Sequence, residues 1–296
     1  MKKILIVTVI IALFAFSAGA REHENVLNLP LNPGSLPSKG LYYTMGYNAG
    51  KATTNRDKNG DAVNNGYSFR TMGMTNLFIW MPGVKLFGAD YGVKLGIGYV
   101  DNTMKINPGG NYIKMHGGGL TDPALTPLAL GWHTDRFDIS TEFMVYMPYG
   151  YYTNYSKGMS IGQDHWTVSP KLGLTYYLDP EKTFSVSTLV GYEYNFENLD
   201  KDIEQGDQLY AILTLSKVMA QNVTLGVHGY GTWKLEDDSG DDAAAANRDR
   251  VYALGPEVKV FVPALHGSVA MKYMKEFGAR SRAENDHFRL AVSWKF

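Results

Sequence analysis

Along most of the chain, apolar and polar residues alternate with a period of two, the spacing that places successive side chains on opposite faces of a strand. The last ten residues show it cleanly. Phe288, Leu290, Val292, Trp294 and Phe296 fall on one face, and Arg289, Ala291, Ser293 and Lys295 on the other. Twelve such segments are predicted, near 41–51, 66–80, 90–104, 121–133, 136–148, 165–178, 183–195, 207–219, 222–235, 249–262, 267–278 and 286–296. The first two and the fourth are the least regular, with Met74, Phe78 and Trp80 on a row that otherwise reads as polar.

The connections carry a second pattern. Those after odd-numbered segments are long and polar (52–65, 105–120, 149–164, 196–206, 236–248 and 279–285), whereas those after even-numbered ones are mostly short (81–89, 134–135, 179–182, 220–221 and 263–266). Strict alternation of this kind is what an all-β transmembrane antiparallel β-barrel requires, with short periplasmic turns and long external loops. An even count of about 12 strands closes the sheet and leaves no edge exposed. The apolar rows then face lipid and the polar rows face the lumen. The aromatic terminus at Phe296 matches the signal by which barrel-insertion machinery recognises a closing strand. Residues 21–40, with Pro30, Pro33, Gly34 and Pro37, do not read as a strand, since proline lacks a backbone donor. This segment could lie in the periplasm or tuck into the lumen as a small plug.

Composition narrows the setting. Lys2 and Lys3, the apolar run Ile4 to Phe16 and the small residues Ala18-Gly19-Ala20 read as a signal peptide over residues 1–20, which places the barrel, residues 41–296, in the outer membrane of a Gram-negative cell. No later apolar run reaches the roughly 18 residues that a transmembrane helix needs. There are 28 basic and 29 acidic residues, and two of the basic ones are in the leader, so the mature chain is slightly acidic and does not read as a nucleic-acid binder. Cysteine is absent, which removes disulfides, thiol chemistry and Cys-ligated metals. Twenty tyrosines and thirteen phenylalanines suit the aromatic girdles of a barrel embedded in outer-membrane lipids.

No enzyme signature emerges. None of the seven histidines sits in a Gly-x-Ser-x-Gly or His-x-Ser arrangement, so no nucleophile is assigned. The acidic runs 57–61 and 237–242 lack the terminal bidentate Glu of a calcium loop and read as solvated external loops. No metal or cofactor is expected. The presumed lumen row is more informative. Glu142, Lys171, Glu193, Glu257 and Arg289 mix both signs, which fits paired charges or a weakly selective pore. Phe78, Trp80, Met144, Tyr210 and Tyr230 read as apolar or aromatic positions on the same row. Such residues either pack the N-terminal segment or line a route for a small hydrophobic solute.

One succession of motifs goes beyond a generic barrel. It comprises Asp122-Pro123-Ala124-Leu125-Thr126-Pro127-Leu128-Ala129-Leu130-Gly131-Trp132-His133, then Met147-Pro148-Tyr149-Gly150, Asn195-Phe196-Glu197-Asn198, Ala253-Leu254-Gly255-Pro256 and Lys275-Glu276-Phe277. It resembles the outer-membrane family named for its association with the meta-pathway of phenol degradation. The resemblance implies a barrel that carries aromatic or other hydrophobic compounds inward, with no catalytic residues. The expected function is uptake of such compounds, with capture at the external-loop tyrosines Tyr149, Tyr151, Tyr152 and Tyr155. The alternative is a closed structural or adhesive barrel whose external loops are the working surface.

Overall fold

The computed structural model describes residues 28–153, 159–243 and 248–296. The leader expected at 1–20 and the first part of the irregular segment, to residue 27, lie outside these. The described residues form β1 (Gly40–Arg56), β2 (Ala62–Val63), β3 (Ser68–Met81), β4 (Lys85–Leu86), β5 (Ala89–Ile106), β6 (Ile113–Leu120), β7 (Ala124–His133) and β8 (Phe137–Tyr146). They continue with β9 (Thr167–Tyr177), β10 (Phe184–Asn195), β11 (Gln208–Ala220), β12 (Val223–Lys234), β13 (Arg250–Val262), β14 (Gly267–Arg280) and β15 (Ala283–Lys295).

The sheet runs β15 to β7 in sequence order, then β5, β3 and β1, and an antiparallel β15–β1 pairing closes it. Tyr43 lies opposite Trp294 and Tyr47 opposite Leu290 at that seam. The wall is therefore a closed barrel of twelve antiparallel strands. β2 and β4 are two-residue ribbons within connections. β6 and β7 both pair with β5 and share one wall position, interrupted at Thr121-Asp122-Pro123. The fourth expected segment is thus the lower part of a longer, broken strand. The break falls at a proline, which cannot donate to the ladder.

Alternation sorts the side chains as lipid and lumen demand. On β9, Thr167, Ser169, Lys171, Thr175 and Tyr177 are buried inward, while Leu172, Leu174 and Tyr176 are exposed outward. On β15, Arg289 and Ala291 are buried inward and Phe288 points out. The register of β3 corrects one expectation. Asn48 of β1 lies opposite Gly73, and Tyr43 and Leu41 lie opposite Phe78 and Trp80. Arg289, in the lumen, bonds both Asn48 (2.9 Å) and Thr75 (3.2 Å), so the inward row of β3 is Thr71, Gly73, Thr75, Leu77 and Ile79. Phe78 and Trp80 consequently face outward, 41% and 54% exposed, together with Met72 and Met74. Phe78 stacks on Tyr43 at 4.8 Å, and Tyr43 stacks on Trp294 at 5.6 Å, which forms an outer aromatic patch at the seam. The misreading has a physical cause. Both rows of β3 are apolar near its end, and a one-residue ambiguity inverts every assignment.

The connections also differ in part. β5 and β6 pair far beyond β7, from Tyr99–Leu120 out to Ile106–Ile113, so most of 105–120 is an extended hairpin. The last external connection shrinks to Ser281-Arg282 between β14 and β15. The short turn after β9 is fixed by Asp179, whose carboxylate accepts from Thr183 Oγ1 (2.6 Å) and from the amides of Thr183 (2.9 Å) and Phe184 (2.6 Å). The Thr183 hydroxyl and these amides hold its pKa below the ordinary carboxylate value.

Candidate functional site

The lumen is built from inward side chains that lie in cross-strand rows, and three zones follow one another from the short-turn end to the long-loop end. Nearest the short turns, the inward positions are small hydroxyls: Ser140, Thr175, Ser185, Ser187, Thr214 and Ser216, all buried. Residues 28–39 lie against this ring. Arg289 donates to the Asn28 side chain, and Lys272 Nζ donates to the Leu29 carbonyl at 2.7 Å. Thr214 donates to the Leu31 carbonyl. The Asn32 side chain accepts from Ser185 (3.0 Å) and Ser216 (3.1 Å). Ser140 donates to the Pro33 carbonyl at 3.2 Å, and Ser35 donates to Asp138 and pairs with Tyr177 at 3.0 Å. Leu36 is buried against Met81 and Ala129, and Ser38 Oγ accepts from Lys295 Nζ at 3.0 Å.

The segment therefore runs from β15 and β14 past β12, β11 and β10 to β9, β8 and β7, with Leu36 reaching Met81 of β3 and Ser38 returning to Lys295 of β15, a strap laid along the inner wall. Pro30 and Pro33 suit this path. Pro33 offers its carbonyl to Ser140, and neither proline brings an amide donor that would need an acceptor in the lumen. A residue other than glycine at 173 would meet the strap, because a Cβ there would lie 2.9 Å from both Gly34 Cα and the Pro33 carbonyl.

The middle zone interleaves charged pairs with an apolar row on the same strands. Glu142 pairs with Lys94 at 2.7 Å and lies opposite Lys171 in register. Lys171 Nζ is 3.5 Å from Met144 Sδ, on the same inward row. Glu257 accepts from His228 Nε2 at 2.7 Å and pairs with Lys272 at 3.1 Å, all three nearly inaccessible. Glu276 accepts from Tyr230 at 2.8 Å and lies 3.4 Å from His287. Glu193 is buried opposite Gln208. Charges of opposite sign meet in this way because an unpartnered ion removed from bulk water is costly.

Between these pairs, Leu189, Ile212, Tyr230 and Ala253 form one inward row across β10 to β13. Tyr210, Val251 and Met274 join it in a buried cluster, with Leu29 of the strap packed on it. Tyr210 lies over Gly191, where a Cβ would fall 2.1 Å from its ring.

The outer zone is set by the loop 147–166. Asp122, at the break between β6 and β7, accepts from the amides of Gly150 (2.9 Å) and Gln163 (2.7 Å) and so pins both ends of this loop. The loop then crosses the inward face of β6. A Cβ on Gly117 would sit 2.1 Å from the Met159 carbonyl, and one on Gly119 would sit 2.3 Å from Tyr151 Cβ. The glycines are therefore a docking strip for the loop. Met159 packs on Phe69, Met104 and Ile106, an apolar cluster inside the mouth. Asp164 in the same loop has its pKa raised, first by burial and then by the charges of Asp200 and Asp122.

Replacing Asp122 with Ala removes an acceptor of two charged hydrogen bonds, a loss of about 3 kcal/mol of local restraint. Limited proteolysis should then cut within 147–166 of the variant while the barrel stays folded, and equal resistance of the two proteins would contradict the pinning role.

The expected capture tyrosines do not converge. Tyr149 meets outward-facing Trp166 edge-on at 6.2 Å, whereas Tyr151 rests on Gly119 inside the mouth. Tyr152 is half-buried, and Tyr155 lies outside the described residues. Sequence reasoning missed the strap contacts, His228 and the mouth residues Phe69, Met104 and Met159. The hydroxyls that cluster at the short-turn ends of the inward rows were the available signal.

A search of curated proteins gives no significant match. The family model described as "Putative MetA-pathway of phenol degradation" matches residues 52–292, most of the chain. The chain belongs to this family. Among solved structures, this family member is similar to an outer membrane channel from Pseudomonas putida F1, with a TM-score of 0.74 at 13% identity over 88% of this chain and 97% of that one. It is also similar to the translocator domain of the autotransporter NalP from Neisseria meningitidis, with a TM-score of 0.50 at 12% identity over 88% and 90%. Both likenesses establish the fold, an outer-membrane barrel.

Proposed function

We propose that this family member is an outer-membrane channel that admits small hydrophobic, including aromatic, compounds, and that the strap at 28–39 gates it from the periplasmic side. The observation that carries the reading is the inward apolar row Leu189–Ile212–Tyr230–Ala253. A water-filled pore gains nothing from such a row, whereas a hydrophobic solute is stabilised along it by burial and stacking. The apolar mouth around Phe69, Met104 and Met159 supplies an entry of the same character. In this reading the solute passes from the mouth along the row and leaves where Leu29 and Leu31 of the strap give way. Glu193 and Glu257 flank the row on its own strands, Glu142 and Lys171 pair on the neighbouring β8 and β9, and Arg289 holds the strap at Asn28. Phe78 and Trp80 belong to the lipid-facing surface and take no part in the route.

The test is uptake of a radiolabelled monocyclic aromatic by cells in which the outer membrane limits entry. Leu189→Asn/Ile212→Asn keeps the lumen volume close to native and replaces the apolar row with amides. It should lower uptake toward the level of cells lacking the protein, by about thirtyfold if each of the two apolar contacts contributes near 1 kcal/mol, while Trp80→Ala should leave it unchanged. Undiminished uptake through the Leu189/Ile212 variant, or no uptake above cells lacking the protein, sinks the route. The second of these outcomes would favour the closed-scaffold alternative.

A further inference from the structure

Where β13 begins and β14 ends, at the external rim, two arginines stand directly opposite each other. Arg250 pairs in register with Arg280, and Arg250 also lies opposite Trp233 of β12. All three point outward, since their neighbours Val251 and Ala279 are buried in the lumen. Like charges directly opposite on antiparallel strands repel each other and weaken the pairing. Among the described residues, no carboxylate pairs with Arg250, Arg280 or Lys58, and the Arg250 Nε is buried with no hydrogen-bond partner. The nearby acids are occupied: Asp237 lies 3.6 Å from Arg248, and Asp249 lies 3.4 Å from Arg282. Asp57 takes the amides of Asn59 and Asp61.

Lys58, Arg250, Arg280 and Ser281 line one cleft of about 400 Å³ together with Trp233, Lys234, Arg248 and the already paired carboxylates Asp237 and Asp249, so cations outnumber acids there by five to two. Below it, on the same outward surface, lies an aromatic band. Trp233 and Tyr252 meet edge-on at 5.8 Å, Tyr252 and Phe277 are 6.1 Å apart, and the Arg250 guanidinium sits 6.0 Å from the Tyr252 ring centre. Aromatic residues mark the boundary between hydrocarbon and headgroup in a membrane barrel. The cationic cleft is therefore at headgroup level in the outer leaflet. Guanidinium pairs are the preferred partners of phosphate, which they bind bidentately.

We propose that Arg250, Arg280 and Lys58 form a site on the outer wall for a phosphate of a glycolipid headgroup in the outer leaflet, with the acyl chains lying over Trp233, Tyr252 and Phe277. The bound phosphate would neutralise the opposed arginines.

The experiment is native mass spectrometry of the full protein in detergent with diphosphoryl lipid A, with fully dephosphorylated lipid A, and with diphosphoryl lipid A in the presence of inorganic phosphate. We expect retention of diphosphoryl lipid A by the wild type and by Lys217→Gln, which removes a cation at the opposite rim. Retention should be weaker by about tenfold or more for Arg250→Gln/Arg280→Gln and for the dephosphorylated lipid. Equal retention of the two lipids by the wild type would overturn the proposal without reliance on any variant. So would unchanged retention by a double variant that still migrates as a folded barrel on unheated gels. Displacement of lipid A by inorganic phosphate at a similar concentration would reassign the cleft to the free anion and overturn the lipid assignment.

Discussion

Deleting residues 28–38 is expected to raise the single-channel conductance several-fold while leaving the barrel folded. The deletion removes Leu31 and Leu36, both nearly inaccessible, and the carbonyls and side chains through which the strap meets Thr214, Ser140, Ser185, Ser216 and Asp138. The wall loses little by this. Its closure rests on the β15–β1 ladder from Tyr42–Lys295 to Asn55–Ala283, which begins beyond the deletion. The exposed hydroxyls would be hydrated, and each exchanged hydrogen bond is worth only about 1 kcal/mol net. Planar-bilayer recordings of purified wild-type and deleted protein check this. An unchanged conductance would mean that the strap does not obstruct the lumen and that the constriction lies elsewhere, with the 147–166 loop the next element to remove.

The second large effect is expected at Glu257. Replacement with Leu leaves Lys272, and Arg289 opposite it in register, without the carboxylate that compensates them in a nearly inaccessible part of the lumen. Loss of one member of a buried ion pair costs about 3 kcal/mol or more, because the remaining charge keeps its desolvation penalty. His228 also loses its acceptor. The damage should extend to the strap, since Lys272 holds the Leu29 carbonyl and Arg289 holds Asn28. The urea midpoint of Glu257→Leu should therefore fall, and its conductance should become noisier as the strap detaches. Glu257→Leu/Lys272→Met removes both charges and should recover much of the lost stability, the coupling a double-mutant cycle measures. If the double variant is as unstable as the single one, the pair is not what stabilises this region.

How far each residue could be read from the sequence follows from how its environment repeats. The rows of β9 and β15 were legible because lipid on one side and lumen on the other impose opposite requirements on neighbouring residues. Leu172 and Lys171, or Phe288 and Arg289, could not exchange places without exposing a charge to hydrocarbon. On β3 that contrast fades. Leu77 and Ile79 face inward beside outward Phe78 and Trp80, and outward Asn76 is satisfied by the Tyr43 hydroxyl at 2.7 Å. Polarity then says nothing about direction, and only the register with β1 and β5 settles it. Asp122 stood out within a motif, yet the task it shares with Gly117 and Gly119 needs the 147–166 loop folded onto β6, a contact between segments distant in sequence.

The sequence by itself determined the class of this protein: a strand period of two, an even number of segments, alternating loop lengths and a closing strand with one apolar row. These are consequences of covering a membrane-spanning sheet with lipid on one side, and they are local, so a single chain records them. The tertiary structure decided what lies inside. It placed residues 28–39 along the inner wall, gathered Leu189, Ile212, Tyr230 and Ala253 into one row, and joined His228, Glu257 and Lys272 around a single carboxylate. It also turned Phe78 and Trp80 to the lipid. Those outcomes depend on register and closure, which are fixed only when all twelve strands pair around the ring and each inward side chain meets partners far away in sequence.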